Sequence, residues 1–160
     1  MTKIGDKGKS YWMGREEDKD GDLLEAIGVA DELKAVMGLV RLEAEKNKEV
    51  KAGIKDIEDD LWGIMGELSC GIKYRDCGCR IIQLEEAIEK MEKETVPIRK
   101  FIGFECRLGA LLNWARTVAR RVERRLVRFS RNREVREDVL TYFNRLSDYL
   151  FMLGRKSEEQ

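Results

Sequence analysis

Between Asp22 and Leu153, apolar residues recur at steps of three and four, and no stretch alternates convincingly enough to make a strand. With a single proline in 160 residues, almost nothing interrupts that period. The first helix is expected from Asp22, read as its N-cap, to Lys46, on the stripe Leu23, Ile27, Ala30, Leu33, Met37 and Val40. A second runs from Val50 to Leu68 on Ile54, Ile57, Leu61 and Met65. The third, Ile81 to Glu94, is stopped by Pro97. The fourth, Glu105 to Arg131, carries a wide face of Leu108, Leu111, Leu112, Ala115, Val118, Ala119, Val122 and Leu126. The fifth opens at Asn132, a natural N-cap, and follows Val139, Phe143, Leu146, Leu150 and Leu153. Rods of ~20–27 residues reach ~30–40 Å at 1.5 Å per residue. Striped rods of that length pack as an up-and-down bundle. The expectation is an all-α, five-helix bundle, one domain over 1–160, behind a polar leader at 1–21.

Composition narrows the chemistry. There is no histidine, which excludes Ser-His-Asp triads, Cys-His dyads and HExxH zinc sites. Thirty-one basic and 31 acidic residues cancel, so net charge does not draw the chain to nucleic acid, although a local patch can. No apolar run approaches the ~18 residues of a spanning helix. Met1 to Gly21 lacks the apolar stretch of a signal peptide, and the expected setting is the cytoplasm. Cys70, Cys77, Cys79 and Cys106 are read as thiols of a reducing compartment rather than metal ligands, because Cys77-Gly-Cys79 is tighter than a zinc knuckle.

In a bundle the informative residues are the polar ones lying flush with the apolar stripes. Arg116, Arg120, Glu123 and Arg124 stand at i, i+4, i+7 and i+8 on the fourth helix. Asn144 and Asp148 form an i, i+4 pair on the fifth, and Asp31 and Glu32 adjoin Leu33 on the first. Burying such groups is costly unless they are paired or hold something charged. The leader Thr2-Lys3-Ile4-Gly5-Asp6-Lys7-Gly8-Lys9-Ser10, with Lys19 beyond it, brings glycine, hydroxyl and ammonium groups into one loop. Those groups suit a polyphosphate, although this is not a Walker A loop; a frayed polar tail has the same composition.

These pieces resemble, in order, the signatures of the ATP:cob(I)alamin adenosyltransferases of the propanediol-utilisation type, TKTGDxGxT, GTxDEL, RTVxRRAER and NRLSD. The matching segments are the leader, Gly28 to Leu33, Arg116 to Arg124, and Asn144 to Asp148. The resemblance implies a ferritin-like homotrimer of five-helix bundles with sites between subunits. It implies that Thr2, Lys3, Gly5, Ser10 and Lys19 bind ATP from the leader. Arg120 and Arg124 would hold phosphates, Glu123 would belong to the same nucleotide site, and Asn144 would contact ATP. Asp31 would pair with Arg116 across the subunit boundary, and Asp148 would order the arginine face. Cob(I)alamin cobalt would attack C5′ of ATP in the presence of Mg²⁺, with adenosylcobalamin and triphosphate as products. Arg120 and Asn144 would serve that step, and Phe101 would help strip the lower axial ligand of cob(II)alamin. A reductase and an adenosylcobalamin-dependent mutase would be the partners. Three positions depart from the pattern: Ile4 replaces a threonine, the FxxPGG turn is shortened to Phe101 to Glu105, and Asn113 stands for a histidine.

Two other readings remain. One is a non-catalytic ATP-binding bundle, a sensor or cofactor escort. The other is a nucleic-acid binder using the nine arginines Arg116, Arg120, Arg121, Arg124, Arg125, Arg128, Arg131, Arg133 and Arg136, whose binding would weaken steeply with salt. Against it, Glu123 interrupts the run, and no aromatic platform accompanies it.

Overall fold

A computed structural model describes residues 5–12, 15–97 and 102–159. The five expected helices are all present: α1 (Asp22–Glu43), α2 (Lys48–Cys70), α3 (Cys77–Glu94), α4 (Arg107–Phe129) and α5 (Glu137–Glu158). Helix α4 packs between α1 and α5, with α2 against α1 and α3 against α5. Leu33 and Met37 of α1, Leu61 of α2, Leu112 and Leu126 of α4 and Leu146 and Leu150 of α5 are fully buried at the centre. No helix among the described residues is long and apolar enough to cross a membrane.

The helix ends depart from the sequence reading for local reasons. Gly21, not Asp22, is the N-cap of α1; Asp22 lies one residue inside, where its carboxylate faces the positive end of the helix. Asn132 does not cap α5. Its amide bonds back to the Phe129 carbonyl at 3.1 Å, so it closes the turn that ends α4. Helix α5 starts only at Glu137, after Arg136, whose guanidinium is held by Glu67 at 2.7 Å and by the Tyr74 carbonyl at 2.9 Å. Helix α3 begins four residues early because Cys77 acts as a small buried apolar residue. Its thiol donates to the Asp138 carbonyl at 3.4 Å, and burial, chiefly, with nearby Asp138 pushes it up to about 12. Asn47 caps α2 through Val50 N–H, and Gly71 ends it at φ 69°, the left-handed value that glycine adopts freely.

The leader holds the strands that hydropathy did not show. β1 (Lys9–Trp12) and β2 (Arg15–Asp18) form an antiparallel hairpin with Lys9 opposite Asp18. An ion pair at 2.6 Å joins those two residues. Backbone pairing and charge hold the hairpin, so it leaves no apolar alternation to detect.

One polar cluster ties α2, α3 and α5 together. Asp60, 3% exposed, accepts from the Tyr142 hydroxyl at 2.8 Å, the Tyr74 hydroxyl at 2.6 Å and Arg80 Nε at 2.9 Å. Burial, then Asp60, keeps the Tyr142 hydroxyl protonated far above its usual range. A buried carboxylate is tolerable only when satisfied in this way. Asp60→Ala leaves the buried Tyr142 hydroxyl and the Tyr74 hydroxyl unpaired and strips Arg80, still paired with Asp56 and Gln83, of its closest carboxylate; it is expected to destabilise the fold by about 3 kcal/mol. Urea unfolding followed by circular dichroism measures this; a loss below about 1 kcal/mol would show the cluster to be dispensable.

Candidate active site

Helix α4 carries seven arginines, and the structure sorts them into two sets. Arg121 pairs with Glu32, Arg125 with Glu25 at 2.9 Å and Arg128 with Asp22 at 2.7 Å, a ladder onto α1; Arg107 pairs with Glu43 at 3.1 Å. The other three, Arg116, Arg120 and Arg124, have no carboxylate partner among the described residues. They form a single i, i+4, i+8 stripe on the α5 side of the helix. Arg120 and Arg124 are exposed. Arg116 is half-buried, its guanidinium 6.0 Å from the Phe151 ring centroid and its Nε donating to Asn113 Oδ1 at 2.9 Å. Burial, chiefly, and then the charge of Arg120 hold its pKa below the ordinary arginine value. Three guanidiniums without counter-charges, one of them repelled by its neighbour, make an anion site rather than a stabilising network.

Helix α5 supplies the rest of that face. Asn144 Nδ2 donates to Glu123 Oε1 at 3.2 Å, joining two of the expected site residues across the helix pair. Asn144 Oδ1 accepts from Arg145 Nη1 at 3.1 Å, and Arg145 is anchored by Glu85 of α3 at 2.7 Å. Asp148 lies 3.6 Å from Arg145, one turn away on its own helix; within the chain its partner is Arg145 rather than an α4 arginine. Beyond Asp148, a pocket of about 420 Å³ opens between α3 and α5, lined by Val96, Pro97, Asp148, Phe151, Met152 and Arg155.

The remaining expected residues lie on the far side of the bundle. Lys19 Nζ donates to the Gly5 carbonyl at 2.6 Å, and Lys19 N–H donates to the Gly8 carbonyl at 2.9 Å, folding the leader on itself. Ser10 lines an apolar groove of about 570 Å³ between α1 and α2, with Leu24, Ile27, Gly28, Asp31 and Trp62. Asp31 is exposed there, beside Lys34, which stacks 4.8 Å from the Trp62 ring centroid. In a single chain, therefore, Asp31 faces α2 whereas Arg116 faces α5. Thr2, Lys3 and Phe101 lie outside the described residues. Among the described residues no group of three or more acidic or thiol ligands could hold a metal.

Fold and site together define an all-α protein with an arginine face suited to a polyphosphate. The family model for cobalamin adenosyltransferase matches residues 1–157. A corrinoid adenosyltransferase of Bacillus subtilis is 35% identical over 163 residues, 96% of this chain and 83% of the relative. A PduO-type ATP:corrinoid adenosyltransferase variant from Lactobacillus reuteri, complexed with cobalamin and ATP, superposes with TM-score 0.92 at 27% identity, covering 99% of this chain and 90% of that one. Another variant of that enzyme, complexed with ATP, gives TM-score 0.91 at 27% identity, with 99% and 94% covered. The chain belongs to the cobalamin adenosyltransferase family.

Sequence reasoning missed the supports of this site. Asn113, noted only as a departure from the family pattern, seats Arg116. Phe151 lies against the same guanidinium. Arg145, inside the NRLSD segment, buttresses Asn144. Spacing on one helix carries no sign of such partners. The sorting of α4 is testable by contrast. Arg121→Ala should cost about 0.5–1 kcal/mol of stability and leave ATP affinity unchanged. Arg124→Ala should stay within about 0.5 kcal/mol in stability while weakening ATP binding about tenfold. Calorimetric ATP titration and thermal melts of both variants decide it; the reverse pattern would refute the sorting.

Proposed function

We propose that the chain adenosylates cob(I)alamin at a site built by two copies of itself, with the leader of one copy facing the arginine stripe of the next. The sorting of α4 carries this reading, because four of its arginines are consumed by carboxylates and the three left free form one stripe. A triphosphate leaving group needs such a stripe. Arg120 and Arg124 neutralise the charge that develops on it, Glu123 and Asn144 fix the nucleoside, and Thr2, Lys3, Gly5, Ser10 and Lys19 enclose the phosphates. Attack of cobalt on C5′ requires alignment rather than proton transfer, so a chain without histidine lacks nothing for it. Mg²⁺ would travel with the triphosphate; with no acidic cluster among the described residues, Glu123 is the carboxylate the chain can offer, in keeping with the sparse protein ligation usual for that ion.

Asp31 and Arg116 occupy opposite faces, so their pairing requires a second copy. Contact between two different faces is heterologous, and such contacts give a ring where the rotation closes, not a twofold dimer. A trimer meets that condition. Exposed Leu39, Leu42 and Trp62 on the α1–α2 side and Trp114 on α4 supply apolar surface for the two faces to bury. The corrinoid then approaches the end of the stripe marked by Arg116, next to the connection that carries Phe101. A reductase supplies cob(I)alamin, and a mutase in the cytoplasm takes the product.

An anaerobic assay with reduced cobalamin, ATP and Mg²⁺, following cob(I)alamin absorbance, tests the chemistry. Wild-type protein should convert it to a light-sensitive product, whereas Arg120→Ala should lose about 10²-fold or more in kcat with its helical signal intact. ATP binding without conversion would favour the escort instead. The shared site has its own test. Lys19→Ala and Arg120→Ala, each inactive alone, should recover roughly a quarter of wild-type activity when unfolded and refolded together, because some interfaces then hold two intact halves. No recovery would mean that each site lies within one copy.

A further inference from the structure

The last two turns of α5 grip both ends of the connection from α3 to α4. At the entering end, Arg155 donates from Nη2 to the Val96 carbonyl, and Lys156 pairs with Glu94 at 2.7 Å. At the leaving end, the Glu158 carboxylate accepts the backbone N–H groups of Glu105 at 3.1 Å and Cys106 at 3.0 Å, just ahead of α4. The Cys106 thiol donates to the Ser157 carbonyl at 3.4 Å. Between these ends Phe104 meets Phe151 edge-on at 6.3 Å. Its ring lies over Gly154 so closely that a Cβ there would stand 2.9 Å from it.

Helix packing alone does not call for this. Arg155 is 8% exposed, yet among the described residues its partners are a carbonyl and the Met152 sulfur at 3.6 Å, with no carboxylate. A guanidinium buried on such terms is costly, and leucine would fill the space more cheaply. Glu158 likewise spends a carboxylate on two N–H groups at the start of α4, which anchors the loop end more tightly than a neutral cap would. Arg155 lines the same pocket as Asp148 and Phe151, Phe151 packs near both Arg116 and Phe104, and Glu158 and Phe104 both lie against Gly109.

We propose that Arg155 and Glu158 are positioning residues for the corrinoid half of the reaction, holding the α3–α4 connection in register with Arg116. This rests on the reading that the corrinoid approaches beside that connection. The grip holds the described ends of the connection, Val96 and Glu105–Cys106, whereas the residues proposed for the nucleotide, Arg120 and Arg124 among them, make no contact with Arg155 or Glu158 among the hydrogen bonds and ion pairs of the described residues.

Steady-state kinetics of full-length Arg155→Ala, Glu158→Ala, Glu158→Gln and Phe101→Ala, with cob(I)alamin and ATP varied in turn, test the proposal. Both alanine variants at the grip should lower kcat/KM for cob(I)alamin about tenfold or more and leave KM for ATP within about twofold. Glu158→Gln should restore most of the loss, because an amide oxygen still accepts both N–H groups. If Arg155→Ala fails to fold, the Glu158 pair, at the exposed end of the last helix, decides alone. Equal changes in both substrates' parameters, or none in the corrinoid's, would overturn the grip while Phe101→Ala still impairs corrinoid use. Corrinoid kinetics untouched by Phe101→Ala as well would instead remove the corrinoid side on which the proposal stands.

Discussion

The ion-pair ladder between α1 and α4 is the interaction on which the rest of this molecule depends. Helix α4 buries one apolar stripe and carries arginines on both of its flanks, more positive charge than a single helix surface tolerates without compensation. The buried stripe Leu112, Ala115, Val118, Ala119, Val122 and Leu126 sets the rotation of α4 about its axis, and the α1 carboxylates Asp22, Glu25, Glu32 and Glu43 then take up four of the seven. That rotation turns Arg116, Arg120 and Arg124 towards α5, where Asn144 and Glu123 already meet. Each exposed pair contributes little alone; the ladder's effect is to decide which arginines remain available to a ligand. The same pairing dismantles the basic patch that suggested nucleic acid, since Arg133 and Arg136 are also engaged, by Glu17 and Glu67.

With that face defined, the leader poses a geometrical problem. Ser10 lies with Asp31 in the groove between α1 and α2, whereas the arginine stripe faces α5, so the two sets of expected site residues stand on different faces of one chain. On the reading proposed above, association of unlike faces would complete both at once. A triphosphate enclosed in that way would also be shielded from water, which would compete as acceptor. The corrinoid end is arranged differently. There the proposed control is intramolecular: the last turns of α5 bond to Val96 and to the backbone just ahead of α4.

The helices were legible because their packing is periodic: each core-facing stripe repeats every three to four residues, and the structure places those residues inside. The hairpin was not, because its stability lies in backbone pairing and in Lys9–Asp18, which leave no hydropathic trace. Asn132 misled for a related reason. It has the chemistry of an N-cap, but its amide was already committed to the end of α4, and Arg136, held by Glu67, decided where α5 began. Cys77 escaped notice as the start of α3 because one buried thiol does not make a stripe.

By itself, the sequence determined a five-helix bundle, a nucleotide-type chemistry without histidine, and the motifs that resemble the cobalamin adenosyltransferases. These are properties of residue type and spacing along one helix, and spacing is local. Only the tertiary structure decided which arginines are free, that Asp31 and Arg116 face apart, that Asn113 and Phe151 seat Arg116, and that Arg155 and Glu158 hold the two ends of one loop. Each of those depends on a partner from another helix, often dozens of residues away, and the fold alone brings the two together.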